Sequence, residues 1–270
     1  MRVLVVTAVA AERDAVVRGA APATTGAGPA EEAPGRVVEL ALPGYVLHRP
    51  APAGPQPLVV DVLAAGVGPA AAAAGTATAL AAAALSGSPY DLAVSAGIGG
   101  GFTATTAATT TATAPGRSAP VGSVVVSDAI VAADLGAETP AGFVPVTELG
   151  FGTVEHRPPA ALVRAVAEAA GAQRGEVLTV STVTGSAERA AALVAARPGA
   201  LAEAMEGFGV AEAAAAHGVP VLEIRAVSNP VGPRDRAAWR IGDALEALAG
   251  ASAALREALE AAPAETWSSP

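Results

Sequence analysis

The sequence predicts an α/β fold in three layers, with helices on both faces of a central, mostly parallel (mixed) sheet. Three observations carry that expectation. Residues 3–9 form a continuous apolar run rich in Val, the pattern of a strand buried on both faces. Strand-like and helix-like segments then alternate along the chain, which argues for crossover units and parallel pairing. Hydrophobic residues make up 52% of the 270 and charged residues only 15%, and much of the apolar share is Ala, which suits helices packed closely on a sheet. No second core or internal repeat is visible. Residues 1–270 are therefore expected to form one domain, with 103–120 as a flexible, low-complexity insertion rich in Thr and Ala.

The elements follow in order. After the strand at 3–9, residues 21–34 read as a Pro/Gly/Ala linker, 36–42 as a strand, 49–55 as a second linker and 57–65 as a third strand. Gly66-Val67-Gly68-Pro69 turns the chain into an Ala-rich helix through Leu85. Residues 91–95 are a strand that ends in the glycine-rich segment 96–101. Residues 121–132 resume as a strand. A helix at 158–171 has Pro at its start and Gly at its end. A strand at 177–183 and a helix at 186–196 follow. The next helix, 206–217, is stopped by Gly218. A strand at 219–227 and a closing helix at 239–259 complete the order.

Composition removes whole classes of function. There is no Cys, so disulfides, thiolate metal sites and Cys nucleophiles are absent. The three His residues (His48, His156 and His217) are far apart in sequence, and no metal site is expected from them. The net charge of −9, the lack of a Lys/Arg run and the 3% aromatic content argue against nucleic acid as a partner. Residues 62–90 carry no charge, but Gly and Pro interrupt them early and Ala dominates the rest. They read as strand, turn and buried helix, not a membrane span. The apolar part of residues 1–11 is short and strand-like, so a cytoplasmic location is expected over secretion. The Ala-rich helices suit a homo-oligomer, a dimer or larger.

Ligands of open α/β sheets bind beyond the carboxyl ends of the strands. Glu12 lies just past the first strand, and Asn229 just past the strand at 219–227. Glu206 sits in Ala204-Met205-Glu206-Gly207-Phe208, at the mouth of an apolar helix-forming run. A carboxylate there is costly unless it is paired. Each has a structural alternative. Glu12 suits the first turn of a helix. Glu206 can pair with Arg225 or cap its own helix. Asn229-Pro230 is a turn-initiating dipeptide.

The Met205-Glu206 pair, taken with Ser228-Asn229, resembles the nucleosidase/nucleoside phosphorylase family. The run Ser228-Asn229-Pro230-Val231-Gly232-Pro233-Arg234-Asp235-Arg236, followed by Trp239-Arg240-Ile241, is similar to the futalosine hydrolase branch, and Ser181-Thr182-Val183-Thr184-Gly185 agrees less specifically. The resemblance spans most of the chain. It implies a nucleoside phosphorylase-like fold and hydrolysis of an N-glycosidic bond. Futalosine would lose hypoxanthine to leave dehypoxanthine futalosine, on a route to menaquinone, with no organic or metal cofactor. It implies that Glu206 and Met205 grip the ribose, that Glu12 activates water, and that Asn229 holds the base.

The chemistry of these groups is consistent with those roles. One carboxylate can hold two adjacent ribose hydroxyls, and such charge-assisted bonds stabilise a developing oxocarbenium ion. Adenosine-type nucleosidases carry Asp where this chain has Asn229. An amide accepts from a protonated N7 and donates to a 6-oxo group, which matches hypoxanthine.

Gly97 and Gly99 of the glycine-rich segment are candidates for a backbone cradle, and Phe102 or Phe151 for a face against the purine. Thr184 is a further substrate-binding candidate. Arg234, Arg236 and Arg240 are candidates for the aryl carboxylate that futalosine carries. Phosphate-using relatives place an Arg on the strand where this chain has Val94, so water is favoured over phosphate as nucleophile. A 6-oxopurine nucleoside phosphorylase, another purine nucleosidase, and a nucleoside-sensing module without catalysis remain as alternatives.

Overall fold

The computed structural model describes residues 1–21, 37–51, 58–103 and 118–261. Most of the linker at 21–34 and of the insertion at 103–120 lies outside the described residues. Twelve strands and six helices are described: β1 (Arg2–Thr7), α1 (Ala10–Ala20), β2 (Val37–Leu42), β3 (Tyr45–Pro50), β4 (Val59–Ala64), α2 (Pro69–Leu85), β5 (Leu92–Gly101), β6 (Val124–Ala132), β7 (Gly136–Thr139), β8 (Gly142–Pro145), β9 (Glu155–His156), α3 (Ala160–Ala169), β10 (Gln173–Thr179), α4 (Ala187–Ala196), β11 (Ala200–Ala204), α5 (Gly207–Ala216), β12 (Val221–Pro230) and α6 (Ile241–Ala261).

The main sheet runs β11-β10-β6-β12-β5-β1-β4-β3-β2, with β9 on β6, while β7 and β8 form a separate hairpin. β1 pairs in parallel with β4 and β5, and β5 in parallel with β12. β10 is parallel to both β6 and β11, but β12 meets β6 antiparallel. β11 also pairs antiparallel with the end of β5, Ala202 against Gly101 and Glu203 against Gly100. Five strands, β5-β12-β6-β10-β11, are thereby closed into a ring.

The β1 side chains divide by the two-residue period of a strand. Val3 and Val5 enter a core with Val16 of α1, Val163 of α3 and Leu248 of α6. Leu4 and Val6 enter a second core with Ala72 of α2 and Val210 of α5. These are the three layers that the sequence predicts. Each fully buried Val or Leu contributes roughly 1.5–3 kcal/mol. Small residues let the layers close tightly: a Cβ at Gly209 of α5 would stand 2.0 Å from the Pro69 carbonyl oxygen at the start of α2.

Several boundaries differ from the sequence expectation. The first strand stops at Thr7, because Val9 caps a helix whose first turn contains Glu12, the structural alternative raised for that residue. Residues 49 and 50 belong to β3, which forms a hairpin with β2 around Gly44 at φ 78°. The strand expected at 91–95 does not stop before the glycine-rich segment. That segment continues β5 through Gly101, and β12 pairs with it out to Pro230. β10 starts earlier than expected and ends at Thr179, which leaves 180–185 as loop.

Candidate active site

A cavity of about 440 Å³ opens at the carboxyl ends of β1, β5 and β12. Glu12, Thr184, Met205, Glu206, Asn229, Gly99 and Arg234, all marked in the sequence, line it. Val67, Ile98, Val183, Val231 and Trp239 supply much of its apolar wall.

Glu12 is 4% exposed. Its Oε2 accepts from the backbone N–H groups of Ala8 (3.0 Å) and Val9 (3.3 Å), and its Oε1 from Ile98 N–H (2.9 Å). The first-turn role and the cavity position therefore belong to the same side chain. Burial raises its pKa above the ordinary Glu value, while the nearby Arg225 opposes that rise. A carboxylate held in this way is a stronger base than one in water.

Glu206 is the N-cap of α5, equally buried but without a side-chain bond to its own helix. Its Oε1 accepts from Gly68 N–H and its Oε2 from Met205 N–H, each at 3.3 Å. Gly68 adopts φ 96° in the turn before α2, a conformation for which glycine is the default residue. The turn predicted from Gly66-Val67-Gly68-Pro69 therefore also delivers a donor to Glu206.

Arg225 joins the two carboxylates. It lies on β12, 1% exposed, with Nη1 at 3.2 Å from Glu206 Oε2. Its Nε donates to Glu223 Oε1 (2.9 Å) and its Nη2 to Ser95 Oγ (2.8 Å). The Nη1 contact is close enough for ion pairing, but its angle does not make a hydrogen bond. Sequence reasoning named Arg225 only as a structural partner of Glu206. Charged residues inside a strand of apolar neighbours are the signal that could have marked both it and Glu223.

Asn229 is in β12, not in a turn after it. The register against β5 shifts between Val227 and Asn229, so Ser228 occupies a bulge. Bulges re-aim side chains. Here Ser228 Oγ donates to Asn229 Oδ1 (2.8 Å) and Asn229 Nδ2 donates to the Pro230 carbonyl (3.0 Å). One amide N–H and one oxygen lone pair remain for a ligand.

Glu203 was missed entirely. It lines the cavity, 5% exposed, and accepts from both the backbone N–H (2.8 Å) and the hydroxyl of Thr184. It fixes the 180–185 loop to β11, and burial raises its pKa.

Five candidates stand elsewhere. Phe102 is 3% exposed and packs with Leu178 and Val231 in a core cluster, not on the cavity wall. Gly97 is also off the wall, since it sits where a Cβ would meet Arg225 and Glu12. Arg236 is in a single 3-10 turn capped by Asp235, with its guanidinium 5.9 Å from the Trp239 ring centre. Arg240 is exposed and bonds Ser228 only through its backbone N–H. Neither Arg lines the cavity. Phe151, the other aromatic considered, is 61% exposed and outside it. Arg234 does line it and stacks on Trp239 at 5.3 Å. Among the described residues, no group of His, Cys, Asp and Glu is arranged to hold a metal, and no helix is long and apolar enough to cross a membrane.

An α/β sheet partly closed into a ring, with three buried carboxylates and an amide around one cavity, defines a class found among known proteins. Residues 57–262 match the phosphorylase superfamily. The fold is similar to that of a 5'-methylthioadenosine/S-adenosylhomocysteine nucleosidase from Colwellia psychrerythraea in complex with adenine. That match has a TM-score of 0.72 at 20% identity and covers 96% of each chain. It is also similar to futalosine hydrolase of Helicobacter pylori, with a TM-score of 0.69 at 17% identity over 97% of each chain. In sequence, the chain is 64% identical to a futalosine hydrolase of Streptomyces coelicolor over 260 residues, 96% of this chain and 97% of that one. It is 41% identical to another from Acidothermus cellulolyticus, over 93% and 89%. The chain belongs to the phosphorylase superfamily and, within it, to the futalosine hydrolases.

Proposed function

We propose that this protein hydrolyses the N-glycosidic bond of futalosine, releasing hypoxanthine and leaving dehypoxanthine futalosine. The observation that carries this reading is the joint placement of Glu12 and Glu206 on one cavity wall, with Arg225 behind them. In this mechanism Glu206 accepts from the ribose hydroxyls and stabilises the cation that forms as C1' loses the base. Met205 packs beside the sugar. Glu12 takes a proton from the attacking water, whose oxygen bonds to C1' as the C1'–N9 bond breaks and its electron pair goes to the base. N7 takes up a proton from solvent, so that the base leaves neutral, and Asn229 accepts from that N7–H and donates to O6 of hypoxanthine. Arg234, on the rim against Trp239, pairs with the aryl carboxylate of the substrate.

Water is the nucleophile. Val94 is fully buried in β5, and Arg225 is already engaged by Glu223 and Glu206 and does not line the cavity. A phosphate approaching that cation would meet carboxylates first. The test is product analysis with futalosine, inosine and methylthioadenosine, with and without phosphate. Free sugar product and hypoxanthine from futalosine, at a rate independent of phosphate, are expected. A sugar 1-phosphate as main product would assign the phosphorylase reaction instead.

A further inference from the structure

Glu223 is wholly buried, two residues before Arg225 on β12, and does not line the cavity. Its Oε1 accepts from Arg225 Nε, while its Oε2 has no partner. The guanidinium is thus fixed on three sides, by Glu223 at Nε, Ser95 at Nη2 and Glu206 beside Nη1. Glycines keep this cluster open. A Cβ at Gly207 would stand 2.3 Å from both Glu223 oxygens, and a Cβ at Gly97 would stand 2.5 Å from Arg225 Nη1 and 2.7 Å from Glu12 Oε1.

The charged groups acting on Glu223 are Arg225 on its own strand and Glu206 at the start of α5, with Glu12 of α1 acting on Arg225 from the far side. Ser95 of β5 is the neutral neighbour. Full ionisation would leave three carboxylates against one fully buried cation, a surplus that a low-dielectric site disfavours.

Building on the hydrolase reading above, we propose that Glu223 is a positioning residue for the reaction, aiming Arg225 at Glu206 and competing with Glu206 and Glu12 for its charge. Ionised, Glu223 draws the field of Arg225 away from Glu12 and leaves it a stronger base. Protonated, it releases that field to Glu12, which then holds its proton less tightly. Burial, opposed by Arg225, raises Glu223 to about 7, so the exchange falls in the neutral range.

The experiment is the pH profile of kcat/KM for hypoxanthine release by the parent and by Glu223→Gln. The amide keeps the acceptor for Arg225 Nε and the side-chain size, and removes the charge. The parent is expected to rise through two ionisations, the upper one near neutrality. Glu223→Gln is expected to rise through one, matching the parent near pH 6 and running about fivefold slower near pH 8, as a weaker base should. Superimposable profiles overturn the proposal. Should Glu223→Gln not fold, carboxyl-carbon NMR of the parent decides: a buried Glu must titrate near neutrality, and its absence overturns the proposal equally. Parent turnover is read in the same assay, so failure of the hydrolase reading shows as no hypoxanthine at any pH, whereas failure of this proposal leaves turnover intact.

Discussion

In the proposed mechanism Glu206 and Asn229 divide the work of the cavity between sugar and base, and each makes a separable prediction. Glu206→Gln keeps one oxygen for Gly68 or Met205 but loses the charge that stabilises the oxocarbenium ion. A drop in kcat/KM of about a thousandfold is expected, the size seen when a transition-state charge stabiliser is removed. Circular dichroism unchanged from the parent would establish that the fold survives, and near-normal turnover would remove Glu206 from the mechanism. In Asn229→Asp, a carboxylate oxygen replaces the Nδ2 that now donates to the Pro230 carbonyl, setting acceptor against acceptor both there and at O6 of the base. Hypoxanthine release should fall at neutral pH and partly recover as the new carboxyl protonates at lower pH. A flat ratio of variant to parent across the pH range would show that Asn229 does not read the base. Glu12, Glu206 and Asn229 were legible in the sequence because they stand at strand ends in short quotable motifs. Glu203 and Glu223 were not, because their partners, Thr184 and Arg225, give them meaning only once the sheet is assembled.

At the scale of elements, most long ones were legible, though α1 was touched only through Glu12, and the shortest were not. The strands in β1, β4 and β6 and the Ala-rich α2 announce themselves by apolar runs. β9 has two residues, and β11 (Ala-Leu-Ala-Glu-Ala) has no pattern that separates strand from helix. The β5 strand was expected to stop at residue 95, before the glycines, because glycine is depleted in strands. Their purpose is closeness, since side chains there would strike Arg225, Glu12 and the backbone of Glu203 and Ala119. Gly97→Ala is the sharpest test of this. A methyl 2.5 Å from Arg225 Nη1 and 2.7 Å from Glu12 Oε1 must push the two apart. A stability loss of about 1–3 kcal/mol from overpacking is expected, with at least a hundredfold loss of kcat. Denaturant melts and steady-state kinetics check both, and unchanged kcat would mean that the spacing of Glu12 and Arg225 is not needed for turnover.

For the whole molecule, the buried acids set how stability depends on pH. Glu12, Glu203 and Glu223 all have raised folded-state pKa values because of burial. For a carboxyl, a raised folded value means that the native state holds the proton more tightly than the unfolded chain does. The stability from that proton is complete below the unfolded value near 4.5 and is lost as pH rises through the folded value, about 7 for Glu223. The net charge of −9 acts in the same direction through self-repulsion. Calorimetry should therefore show Tm falling between pH 5 and pH 7, by about 4 °C from Glu223 alone, and levelling above that. A Tm that climbs over that interval would contradict the protonated native cluster.

The closure of β11 onto β5 also orders events in time. Gly101 and Ala202, which pair there, are about a hundred positions apart, and β12 must reach β5 over a still longer separation. Contacts of such sequence separation form slowly, because loop-closure entropy is lost before the pairing compensates for it. The cavity takes walls from the ends of both joints, so a refolding chain can regain helices and most of its strands while it still has no place for a nucleoside. Recovery of ligand binding should therefore track the slowest kinetic phase of refolding and lag behind the return of secondary structure.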